Sequence, residues 1–422
     1  GMFANDSSYQ SDILTQLTIT FALWAVVWAL LSHDGRTDEV AVGGQPMTRR
    51  YAVASAGWTV LALGSIGAVI ASLVDMFRTP GLTEAEKLAQ EQAVDQIVAD
   101  QRATAAASPP ASPAADAPLS GQALFDSLDA SGDLTPILTA TKDFYHVSKN
   151  FTDPTVSADG WMLEIGGLVN TPLSFTHDEL MARAATQKIT TLCCISNELN
   201  GDLIGTAEWT GIPLMELLNE AGVKPEAVDL KFSAADDYTD SVPVAIGQDP
   251  DVMLVVGMNG EVLPDDHGFP ARLIVPPIYG MKNVKWLQKI EAVDHDYKGY
   301  WQERGWSDPA PYQIWGRIDR PYNKIQPGPF VACGVASAGD RGVQRVEVSL
   351  DDGATWGDAE LEPALNPPLT WVRWAFPFEA VSGRHKMRIR VTDGTGDVMK
   401  QESNPPLPDG ATGWPSRTVT VE

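Results

Sequence analysis

The chain runs to 422 residues, 44% of them apolar and 20% charged, long enough for two or three domains. A formal net charge of −25 excludes nucleic acid and anionic lipid surfaces as general partners, because both would repel it. There are three cysteines, Cys193, Cys194 and Cys333, with no CxxC, and the six histidines form no HxH or HExxH. This pattern excludes a four-thiolate zinc, a c-type haem, a thiolate-held iron–sulfur cluster and a disulfide framework.

Gly1 precedes Met2 and is read as a tag remnant or a clipped end. Residues 13–32 and 51–74 are uncharged apolar runs, each long enough to cross a bilayer as a helix. Two buried core helices are the alternative. The loop between them carries Arg36, Arg49 and Arg50, whereas the residues before the first run have no Lys or Arg. The positive-inside rule then places the loop in the cytoplasm and the C-terminal body outside the cell membrane, on the periplasmic side. Thr48-Arg49-Arg50-Tyr51 also resembles a twin-arginine export signal, which leads to the same side. Neither run contains a His, since His33 lies just past the first, so a b-type haem between them is not expected. Residues 82–105 have helical composition, and the Ala/Ser/Pro-rich stretch 106–118 reads as a tether.

The body starts near residue 120. A strand is expected over 161–165. A short helix is expected over 177–184, capped by Thr176. Residues 188–192 are β-prone. An amphipathic helix is expected over 213–221, ended by Gly222, and apolar strands over 252–256 and 271–275. Helices and strands mix without a βαβ rhythm, which predicts an α+β domain. From about residue 315 the pattern changes. Residues 343–350 alternate with period two and meet a turn at Asp351-Asp352-Gly353. Further strands are expected over 371–376, 385–391 and 418–421, which predicts a β-sandwich.

Cys193-Cys194 stands where the β-prone stretch ends. Two buried small hydrophobes would explain it, as would a soft-metal site. The surrounding motifs carry a resemblance. Residues 191–198 (TLCCISNE) resemble the strand-to-loop segment that holds the molybdenum-ligating cysteine in the sulfite oxidase family, with Cys194 at the ligand position. Residues 208–214 (EWTGIPL) look like the family's W-x-G-x-x-L segment. Residues 257–272 (GMNGEVLPDDHGFPAR) are close to its MNG-x-x-LP-x-x-HG-x-P-x-R run, followed by 279–286 (YGMKNVKW). The C-terminal region, with SLDDGATW at 349–356, is similar to the family's immunoglobulin-like dimerisation domain. The match covers roughly residues 140–422.

The apolar runs give a membrane anchor with two transmembrane helices at 1–80 and the stretch behind them a linker at 81–120, while the resemblance implies an α+β molybdopterin-binding domain of the sulfite oxidase fold at 121–312 and an all-β immunoglobulin-like sandwich at 313–422. It implies Cys194 as the ligand to molybdenum and Cys194 with Trp209 as catalytic residues. Tyr145, His146, Cys194, His267, Arg272, Asn283, Val284 and Lys285 would bind the cofactor, with cationic donors on its phosphate. The cofactor would supply the chemistry, a two-electron oxygen-atom transfer, and the protein would supply binding and electrostatics. A homodimer is implied as well, and since no haem site is expected in the chain, an external electron partner, a cytochrome or a quinone-linked membrane protein, is expected.

Two departures bear on the substrate. Enzymes that oxidise sulfite carry Arg soon after the ligand cysteine and Tyr just before the MNG run. Here Glu198 lies in the first stretch, which has no Arg, and Val256 takes the second position. A neutral S-oxide or N-oxide is therefore expected as substrate, with sulfite as the alternative. A non-catalytic binding protein on the same scaffold is the reading from another class.

Overall fold

The computed structural model describes residues 119–422, together with the backbone of a hairpin, Glu39–Val42 (β1) against Gln45–Thr48 (β2). The apolar runs 13–32 and 51–74, the twin arginines, the stretch 82–105 and the linker 106–118 lie outside the described residues. Among the described residues no helix is long and apolar enough to cross a membrane.

The body opens with α1, Gln122–Ser131, closed by Gly132 at φ 71°. Then come β3 (Met162–Gly167), β4 (Leu173–Thr176), α2 (His177–Arg183), β5 (Thr186–Cys193), β6 (Ile204–Pro213) and α3 (Leu214–Ala221). They are followed by β7 (Asp229–Ala234), β8 (Thr239–Pro243), α4 (Val244–Gly247), β9 (Met253–Met258), β10 (Glu261–Val262), β11 (Arg272–Ile274) and β12 (Leu287–Val293). Local chemistry accounts for the helix ends. Thr176 and Glu179 form a reciprocal capping box at the start of α2, satisfying donors that a helix start leaves orphaned. Gly222 ends α3 at φ 67°, a conformation that is steric strain for most residues and free for glycine.

Two sheets build this domain. One has the order β10-β9-β6-β5 with β11 beside β9, and the other β4-β3-β12-β7-β8. β9 is buried along its whole length, so its apolar run is continuous rather than alternating. The main core lies between and around these sheets and includes Leu163, Leu217, Phe232, Leu254 and Ile290.

The C-terminal domain comprises β13 (Trp315–Arg320), β14 (Lys324–Ile325), β15 (Gly328–Ser337), β16 (Val343–Ser349), β17 (Gly357–Asp358), β18 (Glu360–Leu361), β19 (Val372–Ala380), β20 (Gly383–Asp393) and β21 (Ser416–Val421). Its sheets, β13-β15-β19-β18 and β14-β21-β20-β16-β17, enclose Ile318, Val346, Val348, Trp374, Met387, Ile389 and Val391. The period-two pattern of β20 turns Met387, Ile389 and Val391 to one face.

The segment 121–134 groups by sequence with the first domain, but it packs on the sandwich. Leu124, Phe125 and Leu128 cover Cys333 and Ala375, and the buried Arg373 joins Asp129 (2.6 Å) to Glu362 (2.5 Å). The sandwich also grips the strand that leads to the paired cysteines. The Trp371 amide donates to the Thr191 hydroxyl at 2.7 Å, and the Trp371 indole donates to the Ile137 carbonyl at 3.0 Å. Past the cysteines, Trp315 donates to the Glu198 carbonyl at 3.2 Å and the Ile318 amide to Asn200 at 3.1 Å.

Candidate active site

β5 ends at Cys193, and the chain then turns tightly. The Cys194 amide donates to the Leu203 carbonyl (2.9 Å) and the Asn197 amide to the Cys194 carbonyl (3.0 Å). This turn separates the two thiols. Cys193 faces Asn197, whose amide nitrogen is 3.6 Å from its sulfur. Cys194 lines a cavity of about 210 Å³, with its sulfur 3.0 Å from the Ser196 hydroxyl. Burial pushes the Cys194 thiol up from its ordinary range, and Ser196 pulls it the other way. A bound metal would replace that proton, since it is the thiolate that ligates. No group of three or more His, Cys, Asp or Glu able to hold a metal occurs among the described residues. A metal at Cys194 would therefore take its other ligands from a cofactor or from solvent.

The same cavity is lined by His267, Arg272 and Lys285. Arg272 is buried, and among the described residues no carboxylate pairs with it. Two of its nitrogens donate to the His267 and Asn283 carbonyls at 3.0 and 3.2 Å. Its Nε has no partner. Burial lowers the guanidinium to about 10. Burial and the neighbouring Arg272 lower the Lys285 ammonium to about 8. His267 drops to about 3, through burial first and then the charge of Arg272. With Nε2 at 3.1 Å from the Thr141 carbonyl, the neutral ring donates from that nitrogen. Three basic side chains with depressed basicity surround one space; His267 is neutral there, Lys285 has Asp153 at 3.9 Å, and the buried Arg272 guanidinium has no carboxylate partner among the described residues.

Distant motifs converge to hold the segment that carries Tyr145. Asn259 donates to the Thr139 carbonyl and the Thr141 hydroxyl and accepts from the Glu208 amide. Phe144 packs edge-on against Trp209 (5.7 Å) and His267 (5.6 Å). Tyr145 stacks on Phe144 at 5.3 Å and lines the cavity. Its hydroxyl is held well above its ordinary range, first by burial and then by Cys194. His146 lines the cavity too, with Nε2 at 2.5 Å from Asp153.

Cys194, Tyr145, His146, His267, Arg272, Asn283, Val284 and Lys285 are thus brought together around one cavity. Trp209 is not among the lining residues. It is fully buried, and the Arg272 guanidinium lies 5.1 Å over its ring, so it supports a cation from behind. Asn283 is committed to the loop. Its side chain accepts from the Val275 amide and donates to the Ile278 and Tyr279 carbonyls, and its own amide donates to Gly280. Two expectations about substrate charge do not land at the cavity. Glu198 is exposed and does not line it, because the chain has already turned outward. Val256 belongs to the main core on β9. A weakening of anion binding by Glu198 is therefore not supported.

Sequence reading missed Tyr238, Asp236, Met281, Trp301 and Trp306, which also line the cavity. Lys149 lines it as well and bonds Asn150 and the Asp236 carbonyl at 2.9 and 2.6 Å. Asp236 and Tyr238 share the β7–β8 turn and Trp301 and Trp306 share a later loop, and no spacing links these segments to one another or to Lys149 and Met281.

The residues fit a phosphate-bearing dithiolene cofactor. A buried guanidinium with an orphaned Nε calls for an anion, and a buried thiol at the cavity wall suits a soft metal. Gly280 keeps the cavity wall thin, since a Cβ there would stand 2.7 Å from the Tyr145 hydroxyl.

Residues 150–301 match the family described as oxidoreductase molybdopterin binding domain. The chain is 30% identical over 266 residues to mitochondrial sulfite oxidase of Rattus norvegicus, covering 52% of this chain and 49% of that one. It is 31% identical over 278 residues to sulfite oxidase of Gallus gallus, covering 54% and 61%. A nitrate reductase [NADH] of Solanum lycopersicum is 27% identical over 330 residues, covering 63% and 36%. The chain spans about half the length of the curated relatives it matches. Among solved structures, the sulfane dehydrogenase SoxCD from Paracoccus pantotrophus aligns with TM-score 0.56 at 25% identity, over 74% of this chain and 96% of that one.

Proposed function

Because the chain belongs to the sulfite oxidase family of molybdopterin-dependent oxidoreductases, we propose that it catalyses two-electron oxygen-atom transfer on a small neutral substrate, an S-oxide or N-oxide. Relatives named for sulfite, nitrate and sulfane share the scaffold, so substrate choice rests on the cavity. One observation carries the reading: every cation lining the cavity already has a claim on it. Lys149 is held by Asp236 and Asn150. Arg272 and Lys285, with neutral His267, form the basic group that suits the cofactor's phosphate. Besides Ser196 and Asp236, the remaining lining is largely apolar or aromatic and includes Leu192, Ile195, Tyr145, Tyr238, Met281, Trp301 and Trp306. Such a wall favours an apolar body with one polar group over a dianion.

The bound cofactor would supply the oxygen-atom exchange itself. Cys194 would hold its metal, Arg272 and Lys285 would anchor its phosphate, and Tyr145, which lines the same cavity, would present a neutral hydroxyl. Electrons would pass to or from a separate carrier protein. The sandwich would pair two copies of the chain, and the apolar runs at 13–32 and 51–74 would anchor the body outside the cell membrane.

The test is turnover by molybdenum-loaded protein with an artificial electron donor or acceptor. A dialkyl sulfoxide or an amine N-oxide should be reduced efficiently and sulfite oxidised poorly. Sulfite oxidation with a Michaelis constant in the low micromolar range, about 1–10 μM, would replace this reading with sulfite dehydrogenase.

A further inference from the structure

Behind the cavity wall lies a set of buried charged groups that the cofactor does not need. Tyr238 lines the cavity. Its hydroxyl has two oxygen neighbours, Asp240 Oδ2 at 2.8 Å and the Met281 carbonyl at 2.9 Å. A phenol has one proton, so it cannot donate to both. Both contacts are satisfied together when Asp240 brings a proton of its own and the tyrosine donates to Met281. Asp240 is fully buried. Its other oxygen accepts from the Ser241 amide and from Lys282 Nζ, each at 2.8 Å. Lys282 is 2% exposed and spends its remaining donors on the Ser241 carbonyl (2.9 Å) and on Asp308 Oδ1 (3.0 Å). Asp308 is 35% exposed and meets the surface residue Lys298 at 2.6 Å. An unbroken file of hydrogen bonds thus runs from cavity to solvent.

We infer that Tyr238, Asp240, Lys282 and Asp308 form a proton relay that serves the reaction in the cavity. This rests on the oxygen-transfer reading above and deepens it. Removing oxygen from an oxide XO breaks the X–O bond, takes two electrons from an external one-electron carrier protein and consumes two protons, giving X and water. Each proton enters at Asp308. Tyr238 releases its own proton into the cavity as Asp240 gives its proton to the tyrosine oxygen. Lys282 then restores the proton of Asp240 and regains one from Asp308. Two passes complete a turnover, and the opposite reaction runs the file outward.

Burying a carboxyl and an ammonium costs more than apolar packing in the same space, which makes a purely structural role for Asp240 and Lys282 an expensive one. Burial is the main influence raising Asp240, with Lys282 opposing it. The other titratable groups acting on Tyr238 are Asp236 and Cys194, and Tyr300 packs against it at 6.0 Å. Asp308 feels Lys282 and Lys298. Tyr238 is the member at the cavity, and the other three act through it.

The experiment uses the full chain with Tyr238→Phe and Asp240→Asn, a dialkyl sulfoxide as oxidant and a reduced dye as donor. Molybdenum content should match the wild type. In both variants kcat should fall by roughly a hundredfold with KM little changed, and the solvent deuterium isotope effect on kcat should grow. Independently of turnover, cofactor-free wild type should show a carboxylic-acid infrared band, sensitive to deuterium exchange, that is lost in Asp240→Asn. If Asp240→Asn does not fold, a shift of that band in Tyr238→Phe decides the same point. An unchanged kcat in Tyr238→Phe, or no band assignable to Asp240, overturns the relay. Loaded wild type that turns over neither sulfoxide nor sulfite defeats the functional reading instead, and the infrared band then decides on the shared proton alone.

Discussion

The hydroxyl of Tyr312, at the junction between the domains, accepts a hydrogen bond from the Cys193 amide at 3.0 Å and donates to the Thr191 carbonyl at 3.2 Å. It closes off the last backbone groups of β5 before the thiol that faces the cavity. The position of Cys194 therefore depends on a side chain more than a hundred residues away.

Tyr312→Phe should leave that buried amide without its acceptor. The expected cost is about 1–2 kcal/mol, read as a lower midpoint in denaturant. Molybdenum content should fall too, because the cysteine turn loses its brace. Unchanged stability with full metal content would show that the turn holds itself.

Cys194→Ser should abolish molybdenum retention and turnover, whereas Cys193→Ser should retain both. The reason is directional: the Cys194 thiol lines the cavity and the Cys193 thiol faces Asn197. Loss of activity in Cys193→Ser with full activity in Cys194→Ser would reverse the ligand assignment.

Arg272→Met should sharply reduce cofactor loading with little loss of fold, since it removes a buried charge that has no carboxylate partner among the described residues. One charge-assisted contact is worth about 1.5–3 kcal/mol. Lys285 gives this a pH signature. Its ammonium loses its proton near pH 8, and only the charged form attracts an anion. Inorganic phosphate should therefore bind the cofactor-free protein below that pH and weaken above it, and Lys285→Met should remove the dependence.

His267 predicts how the cofactor-free protein responds to acid. Its folded-state value is about 3 against an ordinary 6.5. Between these values the unfolded chain binds a proton that the native state refuses. The contribution is fully present above pH 6.5 and lost as pH falls towards 3. The difference amounts to about 3–5 kcal/mol at most. His267→Gln should lose less stability than wild type between pH 7 and 4.5, and equal losses would show that other groups dominate.

The membrane reading makes a simple demand. Protease added to intact cells or spheroplasts should cut the 106–118 linker and release the body. Protection of the linker until lysis would overturn the topology.

Several elements were legible because their causes are local. The Thr176 cap and the Gly222 terminator appear where the residue pattern places them, and a strand does form over 343–349, but its burial does not alternate, because the register shifts between Val343 and Arg345 and its last four residues are all buried. The motif residues Tyr145, His146, Cys194, His267, Arg272, Asn283, Val284 and Lys285 do line one cavity, although it takes the packing of distant segments to bring their motifs together. What the tertiary structure decided was direction and partnership. Trp209 and Arg272 read as separate site residues, yet one backs the other. Glu198 follows the ligand cysteine by four positions, yet a tight turn puts it outside. The file from Tyr238 to Asp308 joins residues of the β7–β8 hairpin, the turn at 280–282 and a later loop. No periodicity or spacing carries those meetings, because they are made by the packing of sheets and loops far apart in sequence, and packing fixes which way each side chain faces.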